Sequence, residues 1–269
     1  MKNIFDNNHR RVSDGEFYTL DQQGNLVLRD LKKENSDFTF QKYVSTNEFD
    51  SYNFLYYENF QYEQFDSHGS DYERFGCQIE SGMSVMDLGA NIGAFARYAS
   101  NKGAKEVFCF EPMTPTFHLL QLNTHHDEKI HPFKLGVSDK TGLAEFKIHS
   151  DPTHNGGGTM MKLGDSSLNI HFSEYCALIG IQDIFNDEKW SKIDFLKVDI
   201  EGAEQIVLEA LPDAALRSIA CISSEFHCNE PEFEIWQRNF IRKCQDFGFK
   251  HFVLYHGNGS LRTVTLWKD

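Results

Sequence analysis

No C-x-x-C pair occurs in this chain, and its six cysteines, Cys77, Cys109, Cys176, Cys221, Cys228 and Cys244, are scattered and mostly in apolar contexts. That excludes a dense disulfide framework and points to buried free thiols in a reducing cytoplasm. Long apolar runs are missing too. Met1 to Asn8 has no stretch suited to a signal peptide, and no later segment is long enough to cross a bilayer, so no membrane insertion is expected. Basic residues are few: 26 Lys and Arg stand against 40 Asp and Glu, a net charge of −14. Such a balance disfavours a long phosphate backbone as partner, and no nucleic acid is expected. The clusters His125-His126-His131 and His149-His154 lack ligand spacing, and no metal is expected. Internal repeats and low-complexity tracts are absent. What remains is 269 residues with 40% hydrophobic content, enough for one substantial core or one core plus a small extension.

The most informative stretch runs from Val85 to Phe95. An apolar strand leads into Asp87, then into the turn Gly89-Ala90-Asn91-Ile92-Gly93, and a helix follows at once. A parallel α/β sheet uses such a turn to bring backbone amides and a helix N-terminus to an anionic group. A dinucleotide fingerprint would place glycine at the positions held by Asn91 and Ala94, so the spacing favours a ligand with a small carboxylate over a pyrophosphate. S-adenosylmethionine fits. A second strand, Val107 to Phe110, ends at Glu111-Pro112, about 20 residues on, where an acid can accept hydrogen bonds from two ribose hydroxyls. The competing reading of Glu111 is a capping acid for a helix starting at Thr114-Pro115.

These motifs, together with Phe195-Leu196-Lys197-Val198-Asp199-Ile200-Glu201-Gly202-Ala203-Glu204, resemble the FkbM-type S-adenosylmethionine-dependent methyltransferases. The resemblance runs from about Tyr72 to about His227. It implies a Rossmann-like class I methyltransferase fold: an α/β sandwich on a mostly parallel seven-stranded sheet with a C-terminal antiparallel hairpin. It further implies methyl transfer, usually to a hydroxyl of a natural product or a sugar. The expected cofactor residues are Asp87, Gly89, Ala90, Asn91, Gly93, Glu111, Pro112, Gly136, Asp199 and Glu201. N-methylation of a peptide or amide, and an inactive binding domain, are the competing functions.

Along the rest of the chain the pattern predicts a helix over 94–101 capped by Gly103, a helix led by Phe117, Leu119 and Leu120, and a third strand over 131–137. Leu143 to Ile148 is expected to pair back on that strand as a hairpin. A strand over 193–199, a helix stopped by Pro212, a strand over 218–226, a helix around Phe233, Trp236 and Phe240, and a hairpin of 249–256 with 261–267 complete the domain 72–269.

Strand alternation puts Phe195, Lys197 and Asp199 on one face. A lysine on a strand covered on both sides needs a partner or a ligand, so Lys197 is either paired with Asp199 or functional. Glu225 and His227 alternate onto one face at the end of the next strand. A neutral imidazole there could act as general base on a hydroxyl, with Glu225 fixing its tautomer, and Asp199 is the alternative base. Residues 1–71, with a hairpin about Gln22 to Asn25 and a run of aromatics, form an extension that could cap the substrate, and 151–169 is a long loop that could gate the cofactor. The expected partner is a small-molecule or carbohydrate acceptor, met by a monomer or homodimer.

Overall fold

A computed structural model describes residues 16–20, 26–30, 72–73, 76–149, 170–187, 190, 192–227, 231–256 and 261–269. Its centre is a seven-stranded sheet. The strands are β3 (Ser84–Leu88), β4 (Glu106–Phe110), β5 (Ile130–Phe133), β9 (Phe195–Val198), β10 (Cys221–Phe226), β11 (Lys250–His256) and β12 (Leu261–Trp267). They lie in the order β11-β12-β10-β9-β3-β4-β5. Pairings from β10 through β5 are parallel, and β12 runs antiparallel to both β10 and β11. The expected mostly parallel seven-stranded sandwich is what forms. The reversed strand is β12, which sits one place inside the edge.

Both sheet faces are covered, which is why β3, β9 and most of β4 are buried throughout. Val85, Val107 and Phe195 face α1 (Ala94–Asn101) and α2 (Thr114–Thr124), where Phe95, Ala99, Phe117 and Leu120 complete one core. Met86, Leu88, Phe108, Leu196 and Ile222 face the other side. There they meet residues of α3 (Ile181–Asn186), α4 (Glu204–Glu209), α5 (Asp213–Ser218) and α6 (Pro231–Asp246). Each fully buried Phe or Leu of these clusters stabilises the sandwich by about 1.5–3 kcal/mol. The five described cysteines are free and buried.

Three expectations need correction. The stretch 131–137 is two strands: β5 ends at Phe133, and β6 (Gly136–Ser138) joins a separate sheet. Its partner is not the next strand. β7 (Gly142–His149) pairs antiparallel with β8 (Ile170–Gly180), and β6 pairs parallel with β8, giving the order β6-β8-β7. Finally, 213–218 is helical: Pro212 ends α4 and, in extended conformation, is the N-cap of α5, so β10 begins only at Cys221.

In the N-terminal extension, β1 (Glu16–Leu20) and β2 (Leu26–Asp30) pair antiparallel, as a hairpin there requires. The aromatic run and the 151–169 loop lie outside the described residues. Among the described residues no helix is long and apolar enough to cross a membrane.

Candidate functional site

The carboxyl ends of β3, β4, β9 and β10 meet at one place. Gly89 follows β3 with φ +78, and a Cβ there would lie 1.7 Å from the carbonyl oxygen of Asp199. Only glycine tolerates both the conformation and the approach. Lys197 pins this junction from below: its Nζ donates to the Gly89 carbonyl at 2.8 Å and pairs with Asp87 at 3.0 Å and Asp199 at 3.6 Å. Burial alone would lower the Lys197 pKa, but the Asp87 and Asp199 carboxylates raise it, so the ammonium stays charged. Asp87 is fully buried. Asp87 and Lys197 therefore form a buried pair behind the turn and do not line its open side. The nearer ionic partner of Lys197 is Asp87, and Asp199, the partner the strand pattern suggested, is farther away.

The turn does not present a row of open amides. The N–H groups of Gly89 and Ala90 both donate to the Phe110 carbonyl at 3.0 Å, and that of Gly93 donates to Ala90. The Asn91 N–H donates to Glu111 Oε2 at 3.0 Å. What the turn offers a ligand is close approach, with Asn91 itself in the left-handed region at φ 48. Gly93 stands behind as the left-handed N-cap of α1, where a Cβ would meet Leu120 at 2.8 Å.

Glu111 does two jobs at once. Besides the Asn91 amide, it accepts the Met113 N–H at 3.0 Å and the Thr116 hydroxyl at 2.6 Å, both at Oε1. It thus fixes the turn and the start of α2, the capping role, and it also lines the cleft. A carboxylate has about four lone-pair sites, so one at Oε2 is left for a ligand hydroxyl. Burial raises its pKa, and the three protein donors only partly offset that.

Gly89, Asn91, Glu111, Pro112 and Gly136 line one cleft with Asp199 and Glu201, while Phe110, Val137, Phe146 and Ile200 supply its apolar walls. The cleft encloses about 590 Å³, its open mouth included. Of the expected cofactor residues, Asp87, Ala90 and Gly93 support it from outside the lining. The β6-β8-β7 sheet contributes the expected Gly136 together with Val137 and Phe146, which the sequence pattern did not single out.

At the mouth, His227 lies among four carboxylates. Its Nδ1 is 3.1 Å from Glu204 Oε1, and Nε2 is 3.4 Å from Glu225, 3.7 Å from Glu201 and 4.0 Å from Asp199. Glu204 is buried and already accepts the Ile200 N–H at 3.1 Å and the Gly202 N–H at 3.0 Å. An oxygen so placed can only accept, which puts the His227 proton on Nδ1 and turns Nε2 toward Asp199, Glu201 and Glu225. Burial works to lower the His227 pKa, but Glu201, Glu204 and Glu225 raise it well above the usual imidazole value. The surrounding carboxylates thus shift the ring toward its cationic form, away from the neutral imidazole expected near working pH. Burial pushes Glu201 up to about 8, with His227 acting against it and Asp199, Glu204 and Glu225 adding to it.

Two residues here escaped sequence reasoning. Glu204 follows a helix start and reads as an ordinary first-turn acid. Tyr72 donates to Asp199 Oδ2 at 2.8 Å and to Glu225 at 3.3 Å, and its ring lies 5.2 Å from Lys197 Nζ, packed edge-on against Phe95. No local pattern marks a tyrosine 127 positions before its partner.

Residues 87–250 match the family described as methyltransferase FkbM domain. Among curated proteins the chain is 27% identical over 185 residues to 31-O-demethyl-FK506 methyltransferase FkbM of Streptomyces tacrolimicus, covering 58% of this chain and 70% of that protein. It is 26% identical over 189 residues to the AMB antimetabolite synthetase AmbE of Pseudomonas aeruginosa, covering 58% of this chain and only 9% of that protein. Among solved structures, a methyltransferase FkbM from Methylobacillus flagellatus aligns with a TM-score of 0.46 at 16% identity, over 72% of this chain and 44% of that one.

Proposed function

Because the chain belongs to the methyltransferase FkbM domain family, and is a methyltransferase by that membership, we propose that it carries the methyl group of S-adenosylmethionine to a hydroxyl oxygen of a small natural product or a sugar. The observation that carries this reading is the cleft. It joins an apolar wall suited to a flat base (Phe110, Val137, Phe146, Ile200), a carboxylate with an acceptor site left for a ribose hydroxyl (Glu111), and two acids facing a cationic group (Asp199, Glu201).

When bound, S-adenosylmethionine supplies a methyl group on a positively charged sulfur, open to in-line attack. The residues of this chain do the rest. Glu111 and the Gly89–Asn91 turn fix the donor's orientation, and Asp199 favours its positive charge by Coulomb attraction. The acceptor hydroxyl is taken at the edge formed by Asp199, Glu225 and His227, and Glu225 receives its proton. Oxygen is preferred over nitrogen because a hydroxyl must shed a proton as it attacks, and this edge is rich in acid–base groups. The name of the Streptomyces relative, a 31-O-demethyl-FK506 methyltransferase, supports this preference.

Calorimetry with S-adenosylmethionine tests the donor, and incubation with isotopically labelled methyl donor and fractionated extract, read by mass spectrometry, tests the acceptor. A folded protein that fails to bind the donor would overturn the reading, and label found on nitrogen would overturn its O-methylation half.

A further inference from the structure

We propose that Asp199, Glu201 and His227 form a site for a divalent cation of the Mg²⁺ or Mn²⁺ class at the mouth of the cleft, with a coordination position left for the acceptor's oxygen. One ligand atom from each of the three residues can be chosen so that all lie within 4.8 Å of one another. Around such an ion, neighbouring ligands are roughly 3 Å apart and opposed ones roughly 4.2 Å, from metal–oxygen distances of about 2.1 Å. The separations of His227 Nε2 from Glu201 at 3.7 Å and from Asp199 at 4.0 Å are wider than adjacent ligands require, so the side chains must draw in on the ion.

The imidazole is prepared as a ligand. Metal-bound histidines donate their other ring N–H to a carboxylate, which sets the tautomer and makes the ligating nitrogen more basic. Glu204 does this from a buried position fixed by two backbone N–H groups, and a bound cation takes the place of the Nε2 proton that Asp199, Glu201 and Glu225 otherwise favour. Asp199 is held in turn by the Tyr72 hydroxyl through Oδ2, while Oδ1 faces His227. Glu201 reaches the cluster from a left-handed backbone at φ 55, directly after the strand end. Two carboxylates and open positions for water suit a cation of the Mg²⁺ or Mn²⁺ class, which a zinc-type thiolate set would not. This donor set departs from the expectation of no metal, because its members come from two neighbouring strand ends rather than from a spaced motif.

The inference rests on the cleft holding the methyl donor. Three protein ligands leave positions on an octahedral ion for water and for one acceptor oxygen. A hydroxyl on the ion becomes more acidic. Its proton passes to Glu225, the O–CH3 bond forms as the S–CH3 bond breaks, and the sulfonium becomes a neutral thioether. No further reactant is needed.

The test uses the full chain, treated with chelator and then titrated with Mn²⁺, with free ion counted by electron paramagnetic resonance and donor binding measured on the same sample by calorimetry. About one Mn²⁺ per chain is expected, with a ¹⁴N modulation from coordinated imidazole in the pulsed spectrum. Glu201→Gln and His227→Gln should each weaken binding by more than about tenfold, and His227→Gln should abolish the ¹⁴N signal. Glu232→Gln, a surface change elsewhere, should alter nothing. Two ligand variants, each checked for folding by circular dichroism, keep the result readable if one of them misfolds. Absence of Mn²⁺ binding in a protein that binds the donor overturns the cation site and leaves the methyltransferase reading in place. Binding that survives both variants also overturns it. Mn²⁺ bound with the expected signal, but no donor binding, supports the cation site and sinks the donor assignment.

Discussion

Replacing Lys197 with Met removes the cation beneath the glycine turn while keeping most of the side-chain volume. At 3.0 Å, the Lys197–Asp87 separation, and an effective dielectric of about 20, the pair's attraction is about 5 kcal/mol. Desolvating both ions takes much of that back, so the pair's net worth is small. The single substitution is another matter, because it leaves Asp87 buried without its counter-charge. That should cost about 3–5 kcal/mol in unfolding free energy. Asp199 is partly exposed and keeps the Tyr72 hydroxyl, so it suffers less. Asp87→Asn leaves Lys197 with Asp199 and the Gly89 carbonyl, and should cost about 1–3 kcal/mol. The double variant is decisive: it should be more stable than Lys197→Met alone. Urea unfolding of the four proteins at one pH closes the cycle. If Lys197→Met costs less than about 1 kcal/mol, or the double variant is no more stable than it, Asp87 is not the buried charge described and the reasoning fails.

Glu111→Gln should weaken S-adenosylmethionine binding by about 1.5–3 kcal/mol, whereas Glu111→Ala should also loosen the Asn91 turn and lower the melting temperature; calorimetry and thermal denaturation separate the two effects. A ribose hydroxyl donates to the ionised carboxylate, and burial raises the Glu111 pKa in the free protein. Donor affinity should therefore strengthen as pH rises through that pKa and level off above it, at no more than about tenfold per pH unit; a titration showing the opposite slope would exclude Glu111 as ribose acceptor. Tyr72→Phe keeps the ring against Phe95 but loses both hydrogen bonds to acids, and should destabilise by about 1.5–3 kcal/mol in chemical denaturation. Gly89→Ala should abolish donor binding, because strain of about 1–3 kcal/mol at the left-handed turn adds to the collision with the Asp199 carbonyl.

The glycine turn, the acid after β4 and the acids after β9 were legible in the sequence because strand ends and turns obey short-range rules. An apolar run of β3 length followed by Gly89, or an acid about 20 residues on, needs no knowledge of distant partners. The β6-β8-β7 sheet was not legible, for the opposite reason. Gly142 pairs with Leu178, and no local signal announces so distant a neighbour. The side-chain pattern of β8 even misleads. Tyr175 is 73% exposed whereas Glu174 is buried, because Glu174 accepts the Thr114 N–H at 2.9 Å, the Thr114 hydroxyl and Lys134 Nζ, the last at 3.1 Å. An acid thus faces inward on account of a helix start elsewhere in the chain. The setting of His227 was half legible. Its strand neighbour Glu225 follows from alternation, but Glu204 reaches the ring from the next helix, and the crowd of acids shifts the ring toward its cationic form.

The reversed β12 sets the timing of assembly on the ribosome. It supplies the described hydrogen-bonded partner of β11 on one side and closes β10 on the other. Until residues 261–267 emerge, β10 is an open edge next to the strand that carries the site, and β11 has no place in the sheet. Such late, non-local pairing is slow and leaves apolar surface uncovered in the interval. Assembly therefore waits on this pairing: a nascent chain stalled before Leu261 can have its glycine turn in place and still depend on chaperones, and a nonsense mutation there would expose the Val264- and Leu266-facing core.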